Sequence, residues 1–229
     1  MTITTCIFDA YGTLFDVSAA ARAVAEEPGA GAFAGVWQDV AGHWRAKQLQ
    51  YTWIRALTGR HTDFWQVTQD ALDWALERCD VADAELRERL LGLYFTLAAY
   101  PEVPGMLAEL KDAGLATGIL SNGSPEMLQG AVDSALIGDM LDAVLSVESV
   151  GIFKPDARVY DLVGAHFGCR PDQVLFVSSN GWDVTSASAY GFRTLWVNRA
   201  GEPVDRLPDP PDRIAPDLTG VAGLLGRFS

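Results

Sequence analysis

Residues 3–13 read Ile-Thr-Thr-Cys-Ile-Phe-Asp-Ala-Tyr-Gly-Thr, and this stretch decides the fold class of the chain. Because its first six residues are rich in apolar and β-branched side chains, they predict a short buried strand. Asp9 follows directly and Gly12 marks a turn, so the strand ends in a polar loop. Comparable apolar runs occur at 115–120, 174–177 and 192–197, with a weaker candidate at 143–147.

Helical stretches separate the predicted strands, at about 101–113, 126–135, 157–167 and 184–190. Strands that alternate with helices predict βαβ units, in which the strands run parallel and the crossovers are right-handed. We therefore predict an α/β fold built on a mostly parallel sheet. The proline-rich tail, residues 201–216, is expected to be a surface loop.

The segment from residue 17 to residue 99 breaks this alternation, because it contains no convincing strand. Apolar residues recur in it at helical spacing, as in Trp37, Val40, Ala41, Trp44, Tyr51 and Ile54. Further helices are predicted at about 63–79 and 84–97. We predict an all-helical subdomain of residues 17–99, inserted into a core domain of residues 1–16 and 100–229. Packing within that subdomain is the simplest explanation for most of its aromatic residues.

Net charge and hydropathy each argue against one class of partner. The 229 residues include 17 Lys plus Arg and 30 Asp plus Glu, which gives a net charge of −13. A surface this acidic repels phosphate backbones, so we expect no nucleic-acid partner. No apolar run reaches the roughly 20 residues that a membrane-spanning helix needs, so we expect no membrane partner. A small anionic substrate must be held by a few local cations, against the charge of the whole protein.

The cysteine and histidine residues show neither a disulfide pattern nor a zinc pattern. The three cysteines, Cys6, Cys79 and Cys169, are widely spaced, which is typical of a protein in the reducing cytoplasm. The absence of a cationic signal segment near the N-terminus favours the same location. The three histidines do not form a ligand-spaced pair, so a Cys/His zinc site is not expected.

Polar residues cluster where the predicted strands end. In an open parallel sheet, ligands bind beyond the carboxyl ends of the strands, at the point where the strand order switches. The loops to consider are therefore 9–13, 121–123 and 178–183, with Lys154 after the weaker strand. An acid directly after a strand is also a common helix N-cap, so Asp9 by itself would carry little weight.

Asp9, Thr13, Ser121, Lys154 and Asp183 fall in this order at successive strand ends. The arrangement resembles the haloacid dehalogenase superfamily. Its members have an aspartate nucleophile after the first strand, a Ser or Thr after the second, a Lys before the fourth and an acidic loop after the fourth. The resemblance covers the whole chain. It implies a Rossmann-like parallel sheet core, the HAD fold, with the helical subdomain of residues 17–99 as its cap.

Two positions depart from the Mg²⁺-dependent phosphatases that make up most of this superfamily. Tyr11 stands where those phosphatases have a second aspartate that acts as general acid, and Ser179 stands where their fourth motif has an aspartate. Mg²⁺ prefers an octahedral shell of carboxylate and water oxygens, and Asp9 with Asp183 would make a sparse site. We therefore expect no metal ion and no other cofactor.

The same departures match one branch of the superfamily. The motifs at 9–13, 120–123, 153–155 and 178–183, together with the cap stretch 44–53, resemble the L-2-haloacid dehalogenases, or haloacid dehalogenases type II. The resemblance implies hydrolysis of a small L-2-haloalkanoic acid to the D-2-hydroxyalkanoic acid and halide. It also implies an aspartyl-ester intermediate, inversion at C2 and a homodimer. The catalytic residues it implies are Asp9, Thr13, Lys154, Tyr160, Ser178, Asn180 and Asp183.

The resemblance also implies a set of substrate-binding residues: Ala10, Tyr11, Arg45, Leu49, Phe64, Ser121, Asn122 and Trp182. Backbone N–H groups near Ala10 and Tyr11, with Ser121 beside them, are expected to hold the substrate carboxylate. Arg45 and Asn122 are expected to receive the halide. The apolar walls are assigned to Tyr11, Leu49, Phe64 and Trp182. Tyr160 is expected to support the network of Lys154 and Asp183, and Asp183 is the first choice to position or activate the hydrolytic water.

Two other functions stay open on the sequence. One is a metal-dependent phosphatase of the same fold, which Tyr11 and Ser179 argue against. The other is a non-catalytic protein that binds a small acid, which the combination of Asp9, Lys154 and Asp183 argues against.

Overall fold

A six-stranded parallel sheet forms the centre of the protein, whose computed structural model describes residues 2–227, without the side chain of Arg227. The strands are β1 (Thr5–Phe8), β2 (Ala116–Ser121), β3 (Ala143–Ser146), β4 (Val174–Ser178), β5 (Arg193–Val197) and β6 (Arg213–Ala215). They lie in the order β3-β2-β1-β4-β5-β6. The predicted α/β class and its parallel sheet are confirmed, and the five predicted strands all form.

Strand β1 lies where the order of the strands switches. Phe8, its last residue, pairs with Ile119 of β2 on one side and with Val177 of β4 on the other. All residues of β1 and β4 are buried, which explains why both appear in the sequence as short apolar runs. The residues that follow β1, β2 and β4 therefore lie side by side at one edge of the sheet.

The described residues also form nine α-helices, and these fall into two groups. The first four are α1 (Ala19–Ala25), α2 (Trp37–Thr58), α3 (Phe64–Arg78) and α4 (Ala84–Tyr94). The others are α5 (Val103–Asp112), α6 (Pro125–Ala135), α7 (Ala157–Phe167), α8 (Gly181–Tyr190) and α9 (Val221–Leu224). Helices α5 to α8 connect the strands. None of the nine is long and apolar enough to cross a membrane.

The ends of the long helices have clear chemical causes. Helix α2 ends where Gly59 takes a left-handed conformation, with φ of 64°, which glycine adopts at little cost. Helix α3 begins where the side chain of Asp63 accepts a hydrogen bond from the backbone N–H of Gln66, at 2.9 Å. The chain turns between these two ends, and α2 and α3 pack against each other.

The helical region joins the sheet core through two neighbouring stretches of chain. The backbone N–H of Asp16 donates to the carbonyl of Ala98 at 3.0 Å, and that of Tyr100 donates to Leu14 at 2.9 Å. The predicted division at residues 17 and 99 stays a prediction, and these hydrogen bonds support it.

The tail was predicted wrongly in one place. Residues 201–216 were expected to form only a surface loop, but Arg213–Ala215 forms β6, which pairs in parallel with β5. Its backbone is anchored through Asp212, whose carboxylate accepts a hydrogen bond from the backbone N–H of Thr194 at 2.8 Å. A three-residue edge strand with two exposed residues has no apolar run that sequence inspection could detect.

Candidate active site

Asp9 is the first residue after β1, and its backbone is fixed by its neighbours. Its N–H donates to the carbonyl of Val177 at 2.9 Å, and its side chain is buried at the switch in strand order. The loop then turns at Gly12, whose φ is 87°. A Cβ at that position would lie 3.0 Å from Oγ of Ser179, so the turn favours glycine for space as well as for φ.

The two carboxylate oxygens of Asp9 have different surroundings. Oδ2 accepts from Nδ2 of Asn180 at 2.8 Å, from Oγ1 of Thr13 at 3.2 Å and from Oγ of Ser178 at 3.5 Å. Oδ1 accepts from Nζ of Lys154 at 3.2 Å. Donors from three segments, those at or after the ends of β1, β3 and β4, therefore fix the plane of the carboxylate, and Oδ2 accepts more hydrogen bonds than Oδ1.

Lys154 is a buried cation shared by two carboxylates. Besides Asp9, its Nζ donates to Oδ2 of Asp183 at 2.8 Å, and its side chain is 1% exposed. Burial alone would lower the pKa of Lys154, but the nearby charges and hydrogen bonds of Asp183 and Asp9 raise it above its ordinary value. Lys154 is therefore an ammonium group at neutral pH.

At Asp183, unlike at Lys154, the effect of burial on the pKa outweighs that of the opposite charge nearby. Burial raises its pKa from 3.8 to about 6; Lys154 opposes this shift and Asp9 adds to it. Its Oδ1 accepts a hydrogen bond from the hydroxyl of Tyr160 at 2.8 Å. Burial, followed by the charge of Asp183, raises the pKa of Tyr160 well above its usual value, so Tyr160 keeps its proton and donates.

Arg45 reaches the site from α2, in the helical region. Its Nη2 donates at 3.2 Å to the backbone carbonyl of Tyr11 and at 3.2 Å to Oδ1 of Asn180. Neither partner is ionised, and no carboxylate lies within 4.0 Å of its guanidinium in the part of the chain that is described. A cation without a counter-ion is an attractive site for an anion, particularly in so acidic a protein.

The end of β2 and the loop after it contribute two polar side chains, Ser121 and Asn122. Ser121 ends β2, and its Oγ accepts from the backbone N–H of Gly123 at 3.1 Å. Oδ1 of Asn122 accepts from the backbone N–H of Lys154 at 2.9 Å. Over residues 2–227, the Nδ2 of Asn122 has no hydrogen-bond partner, so this amide has donors available.

The backbone beside Asp9 also offers donors. The carbonyl of Ala10 accepts from the N–H groups of residues 13, 14 and 15 and closes the turn. The N–H groups of Ala10 and Tyr11 themselves have no acceptor among the described residues. Two consecutive free N–H groups next to a buried turn are suited to a carboxylate.

Aromatic rings cover one side of the site. The Tyr11 ring lies with its centroid 5.8 Å from that of Phe64 and 5.6 Å from that of Tyr94. Burial, then the neighbouring Tyr94 and Asp9, raise the pKa of Tyr11, while Arg45 lowers it. Its hydroxyl is buried without a hydrogen-bond partner among the described residues. Tyr11 is thus a neutral wall.

Leu49 and Trp182 lie at a cleft beside Asn180. They line a cleft of about 530 Å³ that also contains Asn180 and Ser179. Because Asn180 bonds directly to Asp9, this cleft leads from the buried network towards the surface.

The structure thus brings most of the predicted residues together. Direct hydrogen bonds link Asp9, Thr13, Lys154, Ser178, Asn180, Asp183, Tyr160, Arg45 and Asn122 into one network. The backbone carbonyl of Tyr11 joins the network by accepting from Arg45, and Ser121 and Ala10 adjoin it along the chain. Phe64, Leu49 and Trp182 adjoin it through ring contact or the shared cleft.

Two contacts that hold Thr13 were not predicted from the sequence, one from Ser179 and one from Arg199. The backbone N–H of Ser179 donates to Oγ1 of Thr13 at 2.8 Å, and Nη2 of Arg199 donates to its carbonyl at 2.9 Å. Arg199 also pairs with Glu102 at 2.7 Å. Arg199 comes two residues after β5, so its position at a strand end was the signal that could have identified it.

The acidic residues of the site do not form a metal cluster. Within residues 2–227, no group of three or more His, Cys, Asp or Glu side chains is arranged to hold a metal ion. Asp9 and Asp183 are instead bridged by the Lys154 ammonium, which occupies the position between their oxygens. These residues do not fit a divalent ion in their present arrangement.

Comparisons with known proteins agree with this geometry. A family model described as haloacid dehalogenase-like hydrolase matches residues 3–191. The chain is 45% identical over 228 residues to (S)-2-haloacid dehalogenase 1 of Pseudomonas sp. (strain CBS-3), covering 99% of this chain and 98% of that protein. It is 42% identical over 219 residues to the (S)-2-haloacid dehalogenase of Pseudomonas sp. (strain YL), covering 95% and 92%.

A solved structure is similar over the whole chain. It is the L-2-haloacid dehalogenase from Xanthobacter autotrophicus with chloropropionic acid covalently bound. The TM-score is 0.90 at 36% identity, and the alignment covers 99% of this chain and 100% of that one.

Proposed function

The chain belongs to the haloacid dehalogenase-like hydrolases, and we propose that its Asp9 network forms the active site for the hydrolysis of L-2-haloalkanoic acids. The activity itself, hydrolytic removal of halogen from an L-2-haloacid, follows from relatives that match almost the whole chain. The residue assignment rests on one observation. Oδ2 of Asp9 accepts hydrogen bonds from Asn180, Thr13 and Ser178, whereas Oδ1 accepts one from Lys154.

The substrate carboxylate binds beside Asp9. The free N–H groups of Ala10 and Tyr11 point to an anion site, and Ser121 supplies a hydroxyl at the end of the neighbouring strand β2. The alkyl group of the substrate lies against the ring of Phe64 and the side chains of Trp182 and Leu49. Closing the site with apolar walls excludes water and strengthens the electrostatic interactions inside it.

The first chemical step forms an ester. Oδ1 of Asp9 attacks C2 in line with the carbon–halogen bond, the new C–O bond forms and the halogen leaves as halide with the electron pair. Oδ1 is suited to this step, because Oδ2 is already occupied by Asn180, Thr13 and Ser178. Negative charge develops on the halogen, and the unneutralised Arg45 and the free Nδ2 of Asn122 supply donors for it.

The second step hydrolyses the ester at the Asp9 carbon. Water attacks Cγ, and the charge that appears on Oδ2 is held by the same three donors that orient the free carboxylate. The bond between Cγ and Oδ1 breaks, so the hydroxyacid leaves with the oxygen that was Oδ1. Asp183 accepts one proton from the attacking water, Lys154 gives a proton to the leaving oxygen, and the contact of 2.8 Å between them returns the proton from Asp183 to Lys154. The second proton of the water stays on the new Asp9 carboxyl group and is released to solvent, which regenerates the carboxylate.

Release of halide tests this function. Chloride should appear from L-2-chloropropionate with purified protein, and a phosphate monoester with Mg²⁺ should not be hydrolysed. Hydrolysis of the phosphate ester alone would return the phosphatase interpretation. No product from either compound would leave a protein that only binds small acids.

A homodimer is also part of the proposal. Two apolar side chains of α2 are exposed, Ile54 at 55% and Leu57 at 83%. Leu57 borders an apolar cleft of about 580 Å³ together with Trp53, Trp182 and Leu207. Light scattering of the protein after gel filtration should give twice the chain mass, and Leu57→Glu should shift it towards the monomer.

A cytoplasmic location completes the proposal. The three cysteines are free in the structure, which accords with a reducing compartment. Fractionation of the source cells, with an antibody against the protein, would test the location directly.

A further inference from the structure

Glu148 lies on the sheet core and makes two contacts with the helical region. It follows β3 in a 3₁₀ turn, Val147–Ser149. Its Oε2 lies 2.9 Å from Nε2 of His61, and its Oε1 accepts from the backbone N–H of Phe64 at 3.2 Å. One carboxylate therefore joins the turn after β3 to the start of α3.

The contact with Phe64 has a specific electrostatic basis. Phe64 is the first residue of α3, and the first N–H groups of a helix have no acceptor inside the helix. A carboxylate at this end is stabilised by those donors and by the helix dipole. The N–H of Gln66 already donates to Asp63, within the same segment. Glu148 reaches the helix from the sheet core and accepts from a different N–H group, that of Phe64.

The contact with His61 is the sole hydrogen bond seen for that ring over residues 2–227. Nδ1 of His61 is buried without a partner among those residues, so the ring is oriented by Nε2 alone. The ring packs with its centroid 4.6 Å from that of Phe153, the residue before Lys154. His61 thus brings the helical region against the chain segment that carries the active-site lysine.

The backbone of Glu148 is held by hydrogen bonds within the sheet core. Its backbone N–H donates to Oγ of Ser146 at 3.2 Å, and that hydroxyl donates to the carbonyl of Gly123 at 2.6 Å. Gly123 belongs to the loop after β2, next to Asn122. The backbone of Glu148 is therefore fixed at the rim of the site, and its carboxylate extends from there to α3.

Phe64 connects this arrangement to the substrate. Its side chain is buried between Tyr11, at a centroid distance of 5.8 Å, and Phe153, at 6.3 Å. We propose that Glu148 is a positioning residue, which holds His61 and the first turn of α3 against the core so that Phe64 forms the wall for a small alkyl group. This inference rests on the proposed function, since the wall matters only if a haloacid binds there.

Removal of the carboxylate should weaken binding of small substrates more than turnover. In Glu148→Ala, KM for L-2-chloropropionate should rise about tenfold, the loss expected for one hydrogen bond to a charged group, while kcat falls less. KM for a longer chain such as L-2-chlorohexanoate should rise less, because a displaced Phe64 leaves more room. Ser149→Ala is the matched control, since its exposed hydroxyl bonds to the carbonyl of Ser146 and to no other group in the described part of the chain.

Two further variants separate positioning from general damage. Glu148→Gln keeps an acceptor for the N–H of Phe64 and should recover part of the loss in KM. His61→Ala should raise KM, and the double variant with Glu148→Ala should be little worse than Glu148→Ala alone, because the two residues act as a pair. Equal falls in kcat with unchanged KM in all of these variants would overturn the proposal.

Amide hydrogen exchange tests the contact without any substrate. Exchange in residues 61–68 should be faster in Glu148→Ala than in the wild type, while residues 45–52 of α2 are unchanged. Unchanged exchange at 61–68 would overturn the inference, even in an active enzyme. If the wild type releases no halide, the proposed function fails instead, and the exchange measurement still decides whether Glu148 holds α3.

Discussion

The ammonium of Lys154 lies 2.8 Å from the carboxylate of Asp183, and the two side chains are 1% and 0% exposed. Taking both charges out of water costs free energy that their mutual attraction only partly returns, so such a pair adds little to stability. Its value lies in chemistry, because it keeps a protonated lysine beside Oδ1 of Asp9 and a carboxylate of raised pKa beside the lysine.

Asp9→Asn should abolish turnover and leave the fold intact, because an amide is a far weaker nucleophile. Circular dichroism and the thermal midpoint check the fold. A single turnover of excess wild-type enzyme in ¹⁸O water should give unlabelled hydroxyacid and place the label on Asp9. Label in the first product would mean that water attacks the substrate directly, and no ester would form.

Arg45→Ala should lower kcat/KM far more than Arg55→Ala, although both residues lie on α2. Arg45 has no counter-ion among residues 2–227, whereas Arg55 is ion-paired with Asp70 at 3.4 Å. Loss of one donor at a developing anion costs about 3–4 kcal/mol, or roughly 10²–10³ in rate. Steady-state halide release compares the variants. Small and equal effects would make Arg45 an ordinary surface arginine.

Turnover should fall as the pH drops below about 6. Burial raises the pKa of Asp183 to about 6, so the carboxylate becomes protonated below that pH and can no longer accept a proton from water. The loss should approach tenfold per pH unit, and Asp183→Asn should remove this limb of the profile along with most activity. A flat profile between pH 4.5 and 7 would exclude Asp183 as the base.

The raised pKa of Asp183 also changes how the stability of the protein depends on pH. Because folding raises this pKa from 3.8, the folded state holds the Asp183 proton more tightly than the unfolded state does. The contribution of Asp183 to the free energy of unfolding therefore decreases as the pH rises from about 4 to about 6.

Activity should survive treatment with a strong chelator. Lys154 bridges the two carboxylates that could otherwise face a metal ion, and Tyr11 and Ser179 lack carboxylates altogether. Halide release should be the same before and after EDTA. Complete loss with EDTA, restored by Mg²⁺, would contradict the mechanism.

The product of L-2-chloropropionate should be D-lactate. Attack by Asp9 inverts C2 once, and hydrolysis at the Asp9 carbon leaves the new bond to C2 untouched. Chiral chromatography after reaction of the racemate should show D-lactate and remaining D-2-chloropropionate. L-lactate from the L-substrate would require a second inversion and would exclude the scheme.

Buried strands and their loops were the predictable part of this protein. Strands β1 and β4 are buried along their whole length, so their apolar runs are visible in the sequence, and Asp9 and Ser178 stand at their ends. Motif resemblance added residues such as Arg45 and Tyr160, which lie on helices and have no such local signal.

The unpredicted parts depend on contacts between distant segments. The pair of His61 and Glu148 joins residues 87 positions apart, and neither residue stands out in its own segment. Arg199 binds Thr13 across 186 positions. Strand β6 is short and exposed at the sheet edge, where no apolar pattern is required.

The side-by-side stretches around residues 14–16 and 98–100 affect how this protein can be rebuilt. A segment whose two ends lie next to each other can be exchanged for another without stretching any loop of its host. Recombination at these two positions would transplant Arg45, Phe64 and Leu49 as one cassette, while Asp9, Lys154 and Asp183 stay with the sheet. In the proposed mechanism, the nucleophile and the groups that hydrolyse the ester are thus encoded apart from the halide donor Arg45 and part of the alkyl wall.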